Sequence, residues 1–419
     1  MDAVDATPIL VIRLDSENRS VVFCTSDQRK IESGTGRTRL FRRQTQERLH
    51  RDLVAFASAF AAIGGDWTPA RKSALLGLIR SGEQLLVDTF PGQLGEVEKL
   101  RAFFRAFSSK AQREGSGHFE DTSPLVEVDT GTGAFFPAEI LPLFASQELV
   151  EAAERGAWLE GQAPLEVARA FLGFSALIKR YSVFGPKYEN PQRAEARRLR
   201  VKFFQHGGLV GARHEFLRLR QLGATVDGPW PSRGSVVKGS AFEAARQIAA
   251  ENEGFDGHPQ AEPVRVLHFA CHQRSNSLDS LKHALLLRGE EYWFRIPSVV
   301  EVSLQQVELA LKGMASSREG GRTGPLVFIN ACESCRALPE DSHSWPELFL
   351  EYNFRGFIGL PIMINDRVAA RFSAEFYERL LQGKSVGCAL SHARQELLRV
   401  DRNALGLLYF SYADPALGL

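Results

Sequence analysis

Three features of the 419-residue sequence predict an α/β fold with a mainly parallel sheet. Beyond residue 125, short apolar runs alternate with helical stretches. Several of those runs, VRVLHFA and LVFIN among them, are mostly apolar rather than alternating, as strands covered on both faces are. The chain opens differently, on two β-rich runs and then a helical stretch, which sets an N-terminal region apart from the rest.

The elements follow in order. Residues 8–15 (PILVIRLD) and 20–24 (SVVFC) flank Ser-Glu-Asn-Arg and read as a β-hairpin. From Arg39 to about Lys110 the period becomes helical. Leu49, Leu53, Phe56, Phe60 and Ile63 recur at three- and four-residue steps, Leu75, Leu76, Leu78 and Ile79 begin a second helix, and Pro91-Gly92 precedes a third over 94–107. The polar stretch 110–124 (KAQREGSGHFEDTSP) reads as an exposed loop, so the expected organisation is residues 1–110 as a hairpin-and-helix region and 111–419 as the α/β domain. Strands are expected at 125–128, 201–205, 264–270, 326–330 and 357–360. Helices are expected at 145–156, 165–179, 212–223, 241–252, 304–314, 367–381 and 386–398.

Composition narrows the function. Lys+Arg number 51 and Asp+Glu 50, a net charge of +1, which argues against a protein that coats nucleic acid. The basic runs 36–51 and 193–202 read as solvated helix faces. Five scattered cysteines make no disulfide scaffold and fit a reducing compartment. The first residues, MDAVDATP, lack the basic start of a secretory signal, and no run approaches the roughly 18 apolar residues of a membrane span. A cytoplasmic protein without membrane contact is the expectation. Asp129-Thr-Gly-Thr-Gly lacks the lysine and spacing of a phosphate loop and reads as a turn.

In open parallel sheets, sites form beyond the carboxyl ends of strands. One apolar run here ends Leu267-His268-Phe269-Ala270-Cys271-His272-Gln273, another Phe328-Ile329-Asn330-Ala331-Cys332-Glu333-Ser334-Cys335. A thiol nucleophile needs an imidazole to take and return protons, and His272 and Cys332 can meet at such an edge. His268-x3-His272 with Cys332-x2-Cys335 also has zinc-like spacing. On a strand, however, two His four apart stand about 13 Å from each other, too far for one ion. No metal or cofactor is expected.

These motifs resemble the CHAT domain, a caspase-like peptidase family. HFACHQ (268–273) stands where the family usually reads HFACHG, and LVFINACESC (326–335) matches its strand and nucleophile turn. FRGFIGLPIMIND (354–366), FSAEFYERLLQGKSVGCALSHAR (372–394) and YFSYADP (409–415) resemble its later segments, and GEQLLVDTFPGQL (82–94) and FFPAEIL (135–141) earlier ones. The resemblance implies a caspase-like three-layer α-β-α fold with its catalytic half at 260–419. It implies His272 as catalytic imidazole, Cys332 as nucleophile, and the backbone N–H groups of Gln273 and Cys332 as the oxyanion hole. It places Asn330 in the S1 pocket, where a neutral side chain favours a neutral P1 residue.

Two residues depart from the family. Gln273 replaces Gly, which would strain a backbone with φ > 0. Cys335 replaces Gly or Ala and raises the question of a regulatory Cys332–Cys335 disulfide. The resemblance further implies a protein substrate, often co-encoded, an activating protein or ligand, and a role in bacterial defence or cell death. The alternative is a catalytically inactive caspase-like adaptor that binds a protein partner. His268 reads as a core or supporting histidine, and Cys24, Cys271 and Cys388 as packing residues.

Overall fold

The structure is a computed structural model describing residues 10–15, 20–24, 30–34, 42–90, 95, 97–102, 125–129, 136–142, 151, 167–168, 170–181, 199–231, 241–250, 264–274, 282–289, 299–315, 324–335 and 344–419. The chain forms two compact units, Met1–Val183 with Leu390–Leu408, and Phe184–Ala389 with Tyr409–Leu419.

In unit 1, β1 (Leu10–Asp15) and β2 (Ser20–Cys24) form the expected antiparallel hairpin, and β3 (Lys30–Gly34) extends it. On the other side of β1, β4 (Leu125–Asp129) and β5 (Leu177–Tyr181) join in parallel, giving the order β3-β2-β1-β4-β5. Alternation explains the assembly: Leu10, Ile12 and Leu14 of β1 and Val126 and Val128 of β4 are all buried. Residues 125–128 thus pair within the N-terminal sheet. The units part at residue 183, whereas the polar stretch 110–124 suggested a boundary near 110.

Two helices, α1 (Arg43–Ala59) and α2 (Pro69–Thr89), pack on each other through Leu49, Leu53 and Phe56 of the first and Leu75, Leu78 and Leu85 of the second. The start of α2 is well specified: Pro69 needs no N–H there, and Thr68 accepts a bond from the Arg71 N–H at 3.2 Å. The helix expected at 165–179 does not run its length: residues 167–168 are helical, but β5 takes up 177–179. A single turn, α3 (Leu172–Ser175), leads straight into β5. The inward residues of β5 are Ile178 and Arg180, so a buried arginine masks the apolar alternation that would have marked a strand. Residues 390–408 belong to this unit through polar ties: Asn403 Nδ2 donates to the carbonyls of Phe60 (2.8 Å) and Ala62 (3.1 Å), and Arg394 donates to that of Gly173 (3.0 Å).

Unit 2 is built on a six-stranded sheet of β6 (Arg200–Gln205), β7 (Thr225–Trp230), β8 (Val266–Ala270), β12 (Gly324–Ile329), β13 (Phe354–Gly359) and β14 (Phe410–Ser411). The order is β14-β13-β12-β8-β6-β7, parallel except at β14. A separate antiparallel sheet runs β11-β10-β9, from β9 (His272–Arg274), β10 (Ala284–Leu287) and β11 (Val300–Ser303). Helices form two groups. α4 (Val210–Gln221) packs on α8 (Asp366–Leu381), while α5 (Ala241–Ala250) packs on α6 (Leu304–Ala315), which also meets α7 (Trp345–Glu351). Right-handed crossovers leave one group on each face, so this unit is the expected three-layer α-β-α fold. A last helix, α9 (Val386–Arg399), passes from unit 2 to unit 1. From β6 the chain goes outward to β7, then crosses to the other side of β6 for β8. The strand order therefore reverses between β6 and β8, and it is beyond the carboxyl ends at such a reversal that open parallel sheets place their sites.

Candidate active site

The parallel register sets Phe328 beside His268 and Ile329 beside Phe269, so β8 and β12 end together. The Asn330 N–H donates to the Phe269 carbonyl at 2.7 Å and carries the pairing past the strand. His272 follows β8 after one residue and is exposed. Cys332 follows β12 and is half-buried. Their immediate successors are bonded to each other: Gln273 Nε2 donates to the Glu333 carbonyl at 3.2 Å. His272 and Cys332 thus come to one edge of the sheet.

The turn after β12 is held tightly. Ser334 Oγ accepts from the Leu360 N–H at 2.9 Å, and the Cys335 N–H donates to the Leu360 carbonyl at 2.9 Å. Gly359 makes this approach workable, because a Cβ there would lie 2.5 Å from Ser334 Oγ and 2.9 Å from Cys335 Sγ. Glu333 takes φ +58°, the left-handed region that costs a non-glycine residue about 1 kcal/mol. Gln273, by contrast, lies in extended β9 without positive φ, so the strain that Gln in place of Gly would carry does not arise. Cys335 is buried against β13.

Behind the turn lies a buried network. His268 Nε2 is 2.7 Å from Glu215 Oε2, and its Nδ1 is 2.9 Å from Tyr377 Oη. Asn330 Nδ2 donates to both Glu215 oxygens at 3.0 and 3.1 Å, and Tyr409 Oη donates to Asn330 Oδ1 at 2.7 Å. A proton on Nε2 of His268 satisfies every member: Nε2 donates to the carboxylate and Nδ1 accepts from Tyr377. Phe203 stacks on the His268 ring at 4.9 Å and 12°. Asn330, expected at the S1 wall, is only 6% exposed, with all three polar contacts turned inward. Both ring nitrogens of His268 are likewise engaged. Among the described residues, no group of three or more His, Cys, Asp or Glu could hold a metal ion.

Electrostatics make a neutral resting pair. Burial pushes the Cys332 thiol up to about 11. Glu333 adds to the rise, and the backbone N–H groups of Cys332 and Ile364 oppose it. Burial also moves His272 below its usual 6.5, against the pull of Asp366. Asp366 itself accepts from the Gly211 N–H at 2.8 Å, where α4 meets α8; a Cβ on Gly211 would fall 2.2 Å from the Asp366 carbonyl oxygen.

The sequence assigns no role to three neighbours of His272 and Cys332: Ile364 and Asp366, which lie within the FRGFIGLPIMIND segment (354–366), and His206 at the end of β6. His206 lies ring against ring with His272, 4.7 Å between centroids. It follows β6, which carries a Phe pair, much as His272 follows β8 after one residue, and that parallel was the available signal. Of the two basic runs, the described parts are engaged in places, with Arg48 bonded to Asp88 and Arg200 to Asp227. Residues 36–41 and 193–198, the Gly-rich residues 130–133, and all of the expected helix 145–156 except residue 151 lie outside the described residues; of the expected helix 94–107, residues 95 and 97–102 are described and are helical.

The parallel sheet, the two helix layers and the shared strand-end edge define a caspase-like α/β protein. The CHAT domain matches residues 188–414, more than half of the chain, and the chain belongs to this caspase-like peptidase family. It is 34% identical over 97 residues to a probable protease of Vitiosangium sp. (strain GDMCC 1.1324), a match covering 23% of this chain and 13% of that protein. Among solved structures, one described as a protease aligns over 77% of this chain and 69% of its own, at 9% identity and TM-score 0.43. The Saccharomyces cerevisiae separase–securin complex aligns over 98% of this chain and 30% of that chain, at 11% identity and TM-score 0.42. Among the described residues, no helix is long and apolar enough to cross a membrane.

Proposed function

We propose that the chain is a cysteine endopeptidase in which Cys332 attacks the scissile carbonyl and His272 moves the protons. The observation that carries this reading is the shared edge of β8 and β12, closed by the Gln273–Glu333 bond. With a raised thiol and a lowered imidazole, the resting dyad is neutral. The thiol proton then passes to His272 as sulfur bonds to the carbonyl carbon, and the backbone N–H groups of Gln273 and Cys332 receive the oxyanion. His272 returns that proton to the leaving amine. It next takes one from water, whose oxygen displaces Cys332 from the thioester and restores the thiol.

Asn330 faces inward, to Glu215 and Tyr409, and so sets no charge in a P1 pocket; a neutral P1 preference is part of the proposal. The natural substrate on this reading is a specific protein, co-encoded in a bacterial defence or cell-death system, cleaved in the cytoplasm once an activating protein or ligand is bound. Incubating the full chain with the proteins encoded beside it tests the assignment. Cys332→Ala and His272→Ala should each abolish cleavage. Cleavage that survives Cys332→Ala would refute the nucleophile, and partner binding without any cleavage would favour the adaptor.

A further inference from the structure

His206 is held more firmly than a loop histidine needs to be. Its N–H donates to the Ala270 carbonyl at 2.9 Å, tying the end of β6 to the end of β8. On its other side it bridges to Arg288: the Gly207 N–H donates to the Arg288 carbonyl at 2.7 Å, and the Arg288 N–H donates to the Gln205 carbonyl at 3.0 Å. The side chain is 9% exposed, and its Nδ1 is buried with no hydrogen-bond partner. The ring therefore does not serve as a structural hydrogen-bonding post through that atom. What it meets is the His272 ring, 4.7 Å away and inclined at 70°. This contact lies at the carboxyl ends of β6 and β8, where the strand order reverses.

We propose that His206 is a positioning residue for the Cys332–His272 dyad: its ring, packed edge-to-face on the His272 imidazole, fixes the plane in which that imidazole takes and returns the thiol proton. The inference rests on the assignment of His272 and Cys332 above. His272 is exposed and sits on a three-residue strand, so its own backbone constrains the ring weakly. Rings at this separation prefer inclined contacts, and such a wall removes rotamer freedom on one side while leaving the other open to substrate. The charged groups facing the pair are Arg288 toward His206 and Asp366 toward His272. Burial, with His272 and Arg288 beside it, lowers His206 to about 4, so the wall stays uncharged while His272 cycles. Misplacing a catalytic group by about 1 Å costs on the order of 100-fold in rate, and loss of one wall should cost about 10-fold.

The test uses the full chain and needs no substrate. Alkylation of Cys332 by iodoacetamide is followed by peptide mass mapping from about pH 6 to about pH 9, with circular dichroism to score folding. His272→Ala should slow the reaction at neutral pH and remove its imidazole-dependent limb. His206→Ala should slow it about 10-fold and displace that limb, and His206→Phe, which keeps a ring of similar shape, should stay within about 2-fold of the parent. Gly208→Ala offers a gentler displacement, because the added Cβ would stand 3.0 Å from His206 Cε1; it should cost about 3-fold. Full reactivity in His206→Ala, or in Gly208→Ala should His206→Ala not fold, overturns the proposal. So does a His206→Phe variant as slow as His206→Ala, which would make the nitrogen and not the ring the active element. A His272→Ala variant that alkylates normally removes the dyad itself, a failure distinct from both.

Discussion

Each unit buries a carboxylate, and the two carboxylates are balanced in opposite ways. In unit 1, Glu139 is fully buried between guanidiniums: Arg180 grips it with both terminal nitrogens, and Arg394 lies 3.7 Å away. Burial draws Arg394 down to about 10, still a cation at neutral pH. In unit 2, Glu215 meets an imidazole and a carboxamide, with two phenols beyond them. The first cluster is made of fixed charges from residues far apart in sequence, so it fastens chain segments together. The second is made of directional bonds and ends two residues before Cys332, so it sets orientation. A buried ion cluster holds topology, and a buried hydrogen-bond network holds geometry.

The largest effect expected is on the first. Glu139→Gln removes the carboxylate that two buried guanidiniums share and should cost about 3–5 kcal/mol, read as a lower denaturation midpoint of the signal from unit 1. Glu215→Gln should cost less, about 1–3 kcal/mol, while slowing Cys332 alkylation in molecules that remain folded. If the two substitutions prove equal in stability and neither touches Cys332, the contrast is broken.

A pH titration sharpens it. His206 is held at about 4 against its usual 6.5, so between those values the unfolded chain binds a proton that the folded chain refuses. Stability should therefore fall as pH drops from about 6.5 to about 4 and lie flat above, by on the order of 1–3 kcal/mol. His272 is shifted the same way. Urea melts of His206→Phe should show a shallower decline than the parent, and an unchanged slope would rule out His206 as a source. The smallest effect expected is Tyr409→Phe, about 1 kcal/mol for one donor lost to Asn330 Oδ1. A comparable loss of Cys332 reactivity would show how stiffly the network transmits.

The sequence made much of this legible for particular reasons. β8, β12 and β13 are mostly apolar because helices cover both faces, and His272 and Cys332 sit in motifs that mark strand ends. β5 was hidden by its inward arginine, which makes sense only once Glu139 is seen. β7 (TVDGPW) was hidden because Pro and Gly disqualify a central strand, yet an edge strand tolerates them. Ile364, in the loop after β13, and Asp366, the first residue of α8, reach the candidate site from a segment that has no periodicity. His206 reaches it through strand order, which a local pattern does not encode.

The tie between Tyr409 and Asn330 also has a bearing on synthesis. A growing chain carries His272 and Cys332 well before it carries Tyr409, a gap of several seconds at roughly 5–20 residues per second. Through that interval Asn330 Oδ1 lacks the donor seen in the finished protein, and the edge strand β14 is missing from the sheet. Unit 1 waits as well, since Arg394 and Asn403 come late. A nascent chain thus carries Cys332 on the ribosome before the hydrogen bonds that hold Asn330 are complete.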